Sequence, residues 1–108
     1  MNSKLIASIY VDRGGFRTLC DLCKAERGTE IHHIVSKGRT QGSPEARDLS
    51  ECKELLSLLC RECHAKAHNP DVATALLRFN AVLYGEDEVR AALEAVNSRL
   101  SRPINIKF

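Results

Sequence analysis

The sequence predicts a small α+β fold stapled by a metal ion, and three observations carry that expectation. Two Cys-x-x-Cys knuckles, Cys20/Cys23 and Cys60/Cys63, are each spaced so that two thiolates reach one face of a tetrahedral ion, as in a four-thiolate zinc site. Between them, residues 29–35 are rich in β-branched side chains and are bounded by Gly28 and by Ser36-Lys37-Gly38, which reads as a short strand. Beyond them, residues 71–84 and 86–100 carry helical stripes, so extended pieces and helices are segregated along the chain.

In chain order, residues 4–11 suit a short helix better than a strand, ended by Gly14-Gly15. Residues 16–19 lead into the first knuckle, whose cysteines are expected on a tight turn between two short extended pieces. The strand at 29–35 carries His32 and His33. Neighbours on a regular strand point to opposite faces, so both rings reach one site only if the strand ends or twists there. Residues 36–48 are dominated by Ser, Gly, Thr, Gln and Pro and are expected to form a loop. Residues 53–60 are an apolar run too short to assign by period. Residues 61–68 read as a helix, which puts His64 and His68 one turn apart on one face. Asn69-Pro70 supplies a cap and a first helical residue for the next segment. Its expected stripe is Val72, Ala75, Leu76, Phe79, Val82 and Leu83, closed by Gly85; the following helix presents Val89, Leu93, Val96 and Leu100. Residues 102–108 form an expected extended tail. No repeat or low-complexity tract interrupts a single domain, divided as an N-terminal segment at 1–19, a metal-braced core at 20–69, a helical hairpin at 70–100 and a tail at 101–108.

At 108 residues such a chain buries about 65% of its unfolded surface, a modest core for which a structural ion matters. Zinc binding at such sites contributes roughly 10–16 kcal/mol, comparable with the stability of a whole domain. The five cysteines read as reduced thiolates rather than disulfides, with Cys52 left over as a small hydrophobe, because no apolar leader with a cleavage site opens the sequence. The expected location is therefore cytoplasmic, or inside a cell as the protein of a phage or mobile element. No apolar run approaches the eighteen or so residues that cross a membrane. The formal charge of +2 selects no partner by itself. Lys37, Arg39 and Arg47, with Arg61 and Lys66 around the second knuckle, form either a phosphate-facing cluster or an ordinary solvated surface diluted by Glu45 and Asp48.

Other readings of the knuckles fit less well. A thioredoxin-like site needs one Cys-x-x-Cys, not two, and a finger using Cys20, Cys23, His64 and His68 would have to span the forty residues between Cys23 and His64. Cys60-Arg61-Glu62-Cys63-His64 spells a haem-attachment motif, but such attachment accompanies export, and Met1 is the only methionine. Zinc deaminases use His-x-Glu and Pro-Cys-x-x-Cys, whereas His33-Ile34 follows His32 and Leu59 precedes Cys60.

The order of Cys20-Asp21-Leu22-Cys23, then His32-His33-Ile34, then Leu59-Cys60-Arg61-Glu62-Cys63-His64 and His68 resembles the HNH nucleases over about half the chain. That resemblance implies a ββα-metal unit, two strands and a helix around one catalytic ion, with residues 57–60 as the second strand or its turn and the four cysteines holding a structural zinc. It implies that the chain is a metal-dependent DNA endonuclease in which His33 is the general base and His32, His64 and His68 hold one divalent cation. Imidazole ligands favour Zn2+, Ni2+ or Mn2+ over Mg2+, although the family tolerates several ions. Lys37, Arg39, Arg61 and Lys66 are the expected DNA contacts. One position departs from the pattern: the family's central asparagine, five residues before the third cysteine, falls on Leu55, which cannot brace a loop by hydrogen bonding. The alternative is therefore an HNH-fold module that binds nucleic acid or assembles without cutting. The helical hairpin is either a stabilising cap or a surface for a second copy or a partner protein.

Overall fold

The computed structural model describes residues 2–15, 17–106 and 108. The expected extended pieces at 16–19 and 102–108 each contain one residue, Phe16 and Lys107, outside that set. Helix α1, Ser3–Asp12, is capped by the Asn2 side chain accepting from the Leu5 N–H at 2.8 Å, and the chain leaves it through Gly14 and Gly15 at φ of 102° and 110°. Its buried Ile9 meets Leu56 and Leu58, with Leu5, Tyr10 and Ile31 alongside, in a small apolar cluster.

Strands β1, Glu30–His33, and β2, Leu56–Leu59, pair antiparallel with Glu30 opposite Leu59, Ile31 opposite Leu58, His32 opposite Ser57 and His33 opposite Leu56. All of β2 is buried: Leu56 and Leu58 face α1, while Leu59 joins the main core. That two-sided burial is why its sequence is leucine-rich on both faces, with Ser57 its one polar residue, instead of an apolar-polar alternation. Helix α4, Arg61–Lys66, packs on both strands and completes a ββα arrangement.

The connection between the strands is not the loop expected at 36–48. It folds into α2, Lys37–Thr40, and α3, Pro44–Ser50, and then a 3-10 turn at Lys53–Leu55. Ser36 and Ser43 accept from the N–H groups of Arg39 and Ala46, Pro44 takes the first turn of α3, and Gly42 makes the corner at φ 90°. The residues that suggested a loop are caps and a corner.

Helices α5, Pro70–Tyr84, and α6, Glu86–Asn97, form the expected hairpin around Gly85 at φ 103°. Val89, Leu93 and Val96 are buried on α6 as expected, and α6 also packs on α3. On α5 the buried face is Ala73, Leu76, Leu77 and Asn80, whereas Val82 is 85% exposed, so the expected stripe is turned about the helix axis. A polar residue in the core accounts for the error. Asn80 is fully buried because its Nδ2 donates to the carbonyls of Glu54 at 3.0 Å and Leu56 at 2.8 Å. The Asn97 side chain pins Ile104 by accepting from its N–H at 2.8 Å and donating to its carbonyl at 3.1 Å, which seats Ile104 in the main core.

A buried ion pair ties these parts together. Arg13 forms a two-pronged contact with Asp21, Nε to Oδ1 at 2.8 Å and Nη2 to Oδ2 at 2.9 Å, and also donates to the Asn80 Oδ1 at 3.1 Å. Asp21 in turn accepts from the Leu58 N–H at 2.9 Å. Four elements thus meet at one ion pair: α1, the first knuckle, β2 and α5. Every charged atom there has a partner, the condition under which a buried pair is tolerated.

Candidate metal centre and histidine cleft

The first knuckle is a small hairpin. Leu19 bridges Arg27, the Cys20 N–H donates to the Glu26 carbonyl at 2.7 Å, and Lys24 turns the chain at φ 59°, a left-handed conformation. Gly28 closes it against the sheet: a Cβ there would lie 2.5 Å from Leu58 Cγ. The second knuckle is built differently, with Cys60 immediately before α4 and Cys63 inside its first turn. Together Cys20, Cys23, Cys60 and Cys63 bring their sulfurs within 4.8 Å of one another, and Cys23 Sγ lies 3.9 Å from Cys60 Sγ. A tetrahedral zinc with bonds of about 2.3 Å has sulfur–sulfur edges of about 3.8 Å. The quartet fits a zinc-type ion.

The crowding of four thiols shows in their protonation. N–H groups of Glu26 and Ala25 hold the Cys23 thiolate and bring its pKa down to about 6, while burial and the neighbouring thiols push Cys63 up to about 12. Four thiolates cannot be charged together without a cation among them. Cys52 stays apart from the quartet, its thiol pushed up to about 11 by burial and then by Glu54.

On the sheet face away from α1, β1 and α4 bring imidazoles together. The His32 ring lies 5.0 Å from that of His64 and 6.2 Å from that of His68, centroid to centroid, both edge-on. His68 stands past the end of α4 rather than on its last turn, since the helix stops at Lys66. This grouping is looser than the thiolates: among the described residues, the cysteines are the one group of three or more such side chains drawn to metal-ligand spacing. Burial, followed by the charges of His64, His68 and His33, lowers the His32 pKa to about 4, so this ring is neutral and has one nitrogen lone pair to offer near pH 7. His64 Nδ1 donates to Glu30 Oε1 at 2.7 Å, which leaves Nε2 as its free nitrogen. Beneath them Ser57, opposite His32 on β2, keeps a buried hydroxyl with no partner.

His33 is the last residue of β1, where the strand gives way to a bend, so its ring lines the same clefts as His32 and His68. Its Nε2 donates to Glu51 Oε1 at 3.4 Å. Burial lowers its pKa, and Lys37 and Arg47 add to the lowering against the opposing pull of Glu51. Lys37 lines one histidine cleft and Arg39 the other. Arg61 and Lys66 lie exposed on α4 and line neither of them.

Glu30, Glu51 and Asn80 were not singled out from the sequence. The strand period could have found Glu30, two residues before His32 and therefore on its face. No local signal points to Glu51 or Asn80, which arrive from α3's end and from α5. No helix among the described residues is long and apolar enough to cross a membrane. No protein-family model matches the chain, and no curated protein or solved structure matches it either.

Proposed function

We propose that this chain is a metal-dependent endonuclease that hydrolyses DNA phosphodiester bonds, with a structural zinc in the cysteine quartet and a catalytic divalent cation at His32, His64 and His68. The observation that carries the reading is the convergence of three imidazoles beside a fourth whose far nitrogen is tied to a carboxylate. A ring set that includes a buried, neutral His32 suits a borderline cation, and the Glu30 carboxylate on His64 Nδ1 leaves Nε2 available as a ligand. A cation bound there supplies charge stabilisation for the five-coordinate phosphate and the departing 3′ oxygen.

The protein groups do the rest. With its Nε2–H directed at Glu51, His33 has Nδ1 unprotonated, and that nitrogen takes a proton from water as the water oxygen attacks phosphorus. The P–O3′ bond breaks, and the electron pair leaves on the 3′ oxygen, which is protonated from solvent. Lys37 and Arg39, at the cleft edges, hold the phosphates on either side.

The second reading, a fold of this kind that binds nucleic acid without cutting, is favoured by Leu55, an apolar and fully buried residue where the resembling family carries an asparagine. Against it, Asn80 donates to the carbonyls on both sides of Leu55, so the turn is braced from α5. A plasmid-nicking assay over a series of divalent ions separates the two. The endonuclease reading expects cleavage that falls at least about 100-fold in His33→Ala, within the usual range for a general base. Equal activity in both proteins removes His33 from the chemistry, and binding without any cleavage favours the second reading.

A further inference from the structure

A third cleft adjoins the histidine clefts and is lined by three arginines, Arg39, Arg99 and Arg102, around a floor that includes Gly38 and Gly42. Arg39 is shared with the cleft that contains His32, His33 and His68, and Gly38 with the one that contains His64, so the three run into each other along α2. Arg99 and Arg102 come from the far end of the chain, beyond α6. They are held in place by Ser43, whose hydroxyl donates to the Arg99 carbonyl at 3.1 Å, and by the seating of Ile104 against Asn97.

Arg39 and Arg102 are exposed, and neither pairs with a carboxylate among the described residues. Arg99 pairs with Glu45 at 2.8 Å, but with Glu45 73% exposed the pair is solvated and exchangeable for a stronger anion. Open space stands where side chains at Gly38 and Gly42 would be, so a ligand can approach the backbone between the arginines. The composition is that of a phosphate track, planar cations with open backbone at Gly38 and Gly42 between them and the small polar side chains of Ser43 and Ser101 beside them.

We propose that Arg39, Arg99 and Arg102 form a second nucleic-acid subsite that holds the phosphate backbone leading away from the histidine cleft. The inference rests on the endonuclease reading for the identity of the polyanion. It adds that the chain's C-terminal residues, outside the ββα unit, carry part of the substrate contact.

The test is the salt dependence of binding to a short DNA duplex by the zinc-loaded full chain. Every phosphate that the protein no longer neutralises flattens the slope of log affinity against log salt by about 0.9. Arg39→Gln/Arg102→Gln is expected to lower the slope's magnitude by about 1.8, whereas Arg90→Gln, the same charge change at a site paired with Glu86, leaves it near the parent's. Glu45→Gln, which frees Arg99, is expected to tighten binding. A parent that binds and cuts while the double variant keeps the full slope overturns the track, and with it the phosphate contact of Arg39, and leaves the hydrolytic reading of the histidines standing. A parent that fails to bind duplex at low salt overturns both.

Discussion

Replacing Asn80 by leucine, a side chain of the same branched shape, tests whether the hairpin positions the site or merely covers it. The amide is fully buried and makes three hydrogen bonds: two to the carbonyls flanking Leu55 and one from the Arg13 guanidinium. The two neutral bonds are worth about 1 kcal/mol each, and the bond to a charged group about 1.5–3 kcal/mol, so the substitution is expected to cost roughly 3.5–5 kcal/mol. That is a large share of the ~5–15 kcal/mol that holds a domain together. With a urea slope of about 2 kcal/mol/M, the unfolding midpoint of the zinc-loaded protein falls by about 2 M at unchanged slope. The site should respond as well, because the Leu55 carbonyl accepts from the N–H of Ile34 at 3.0 Å, the residue after His33. A loss under about 1 kcal/mol would refute the claim that Asn80 supports the turn, since no relaxation of a fully buried amide hides the loss of all its partners.

Two further outcomes follow from the cysteines and from His33. Stripping the ion with a strong chelator is expected to unfold the chain, because a zinc contribution of roughly 10–16 kcal/mol equals or exceeds the whole stability of such a domain; circular dichroism before and after chelation reads this directly, and an unchanged melting curve counts against a structural ion. The cleavage rate is expected to rise with pH as His33 loses its proton, with the midpoint of the acid limb below 6.5, since burial and then Lys37 and Arg47 favour the neutral ring over the opposing Glu51. Glu51→Gln removes the interaction that favours the charged ring and shifts that midpoint further down, so an upward shift would contradict the assignment.

Much of this was legible because the candidate metal ligands come in local pairs. Cys20/Cys23, Cys60/Cys63 and His64/His68 declare themselves by spacing, and the helices after Asn69-Pro70 and Gly85 by caps and period. The errors arose where one residue type serves two structures. Ser36, Ser43, Pro44 and Gly42 read as a loop but cap and join two short helices. On α5, counting only apolar residues set the stripe toward Val82, when the true core position is Asn80. Contacts that close over long stretches of sequence, such as Arg13 with Asn80 or Asn80 with the Leu55 turn, leave no local trace, and they set how α5 sits against the sheet.

The most direct measurement is a titration of Ni2+ or Mn2+ into chain whose cysteine quartet is already filled with zinc, followed by elemental analysis of parent, His32→Ala and His64→Ala. Expected is one further ion per chain in the parent, lost in both variants while the zinc stays at one. No second ion in the parent, or a second ion indifferent to both histidines, would contradict a catalytic cation among these rings.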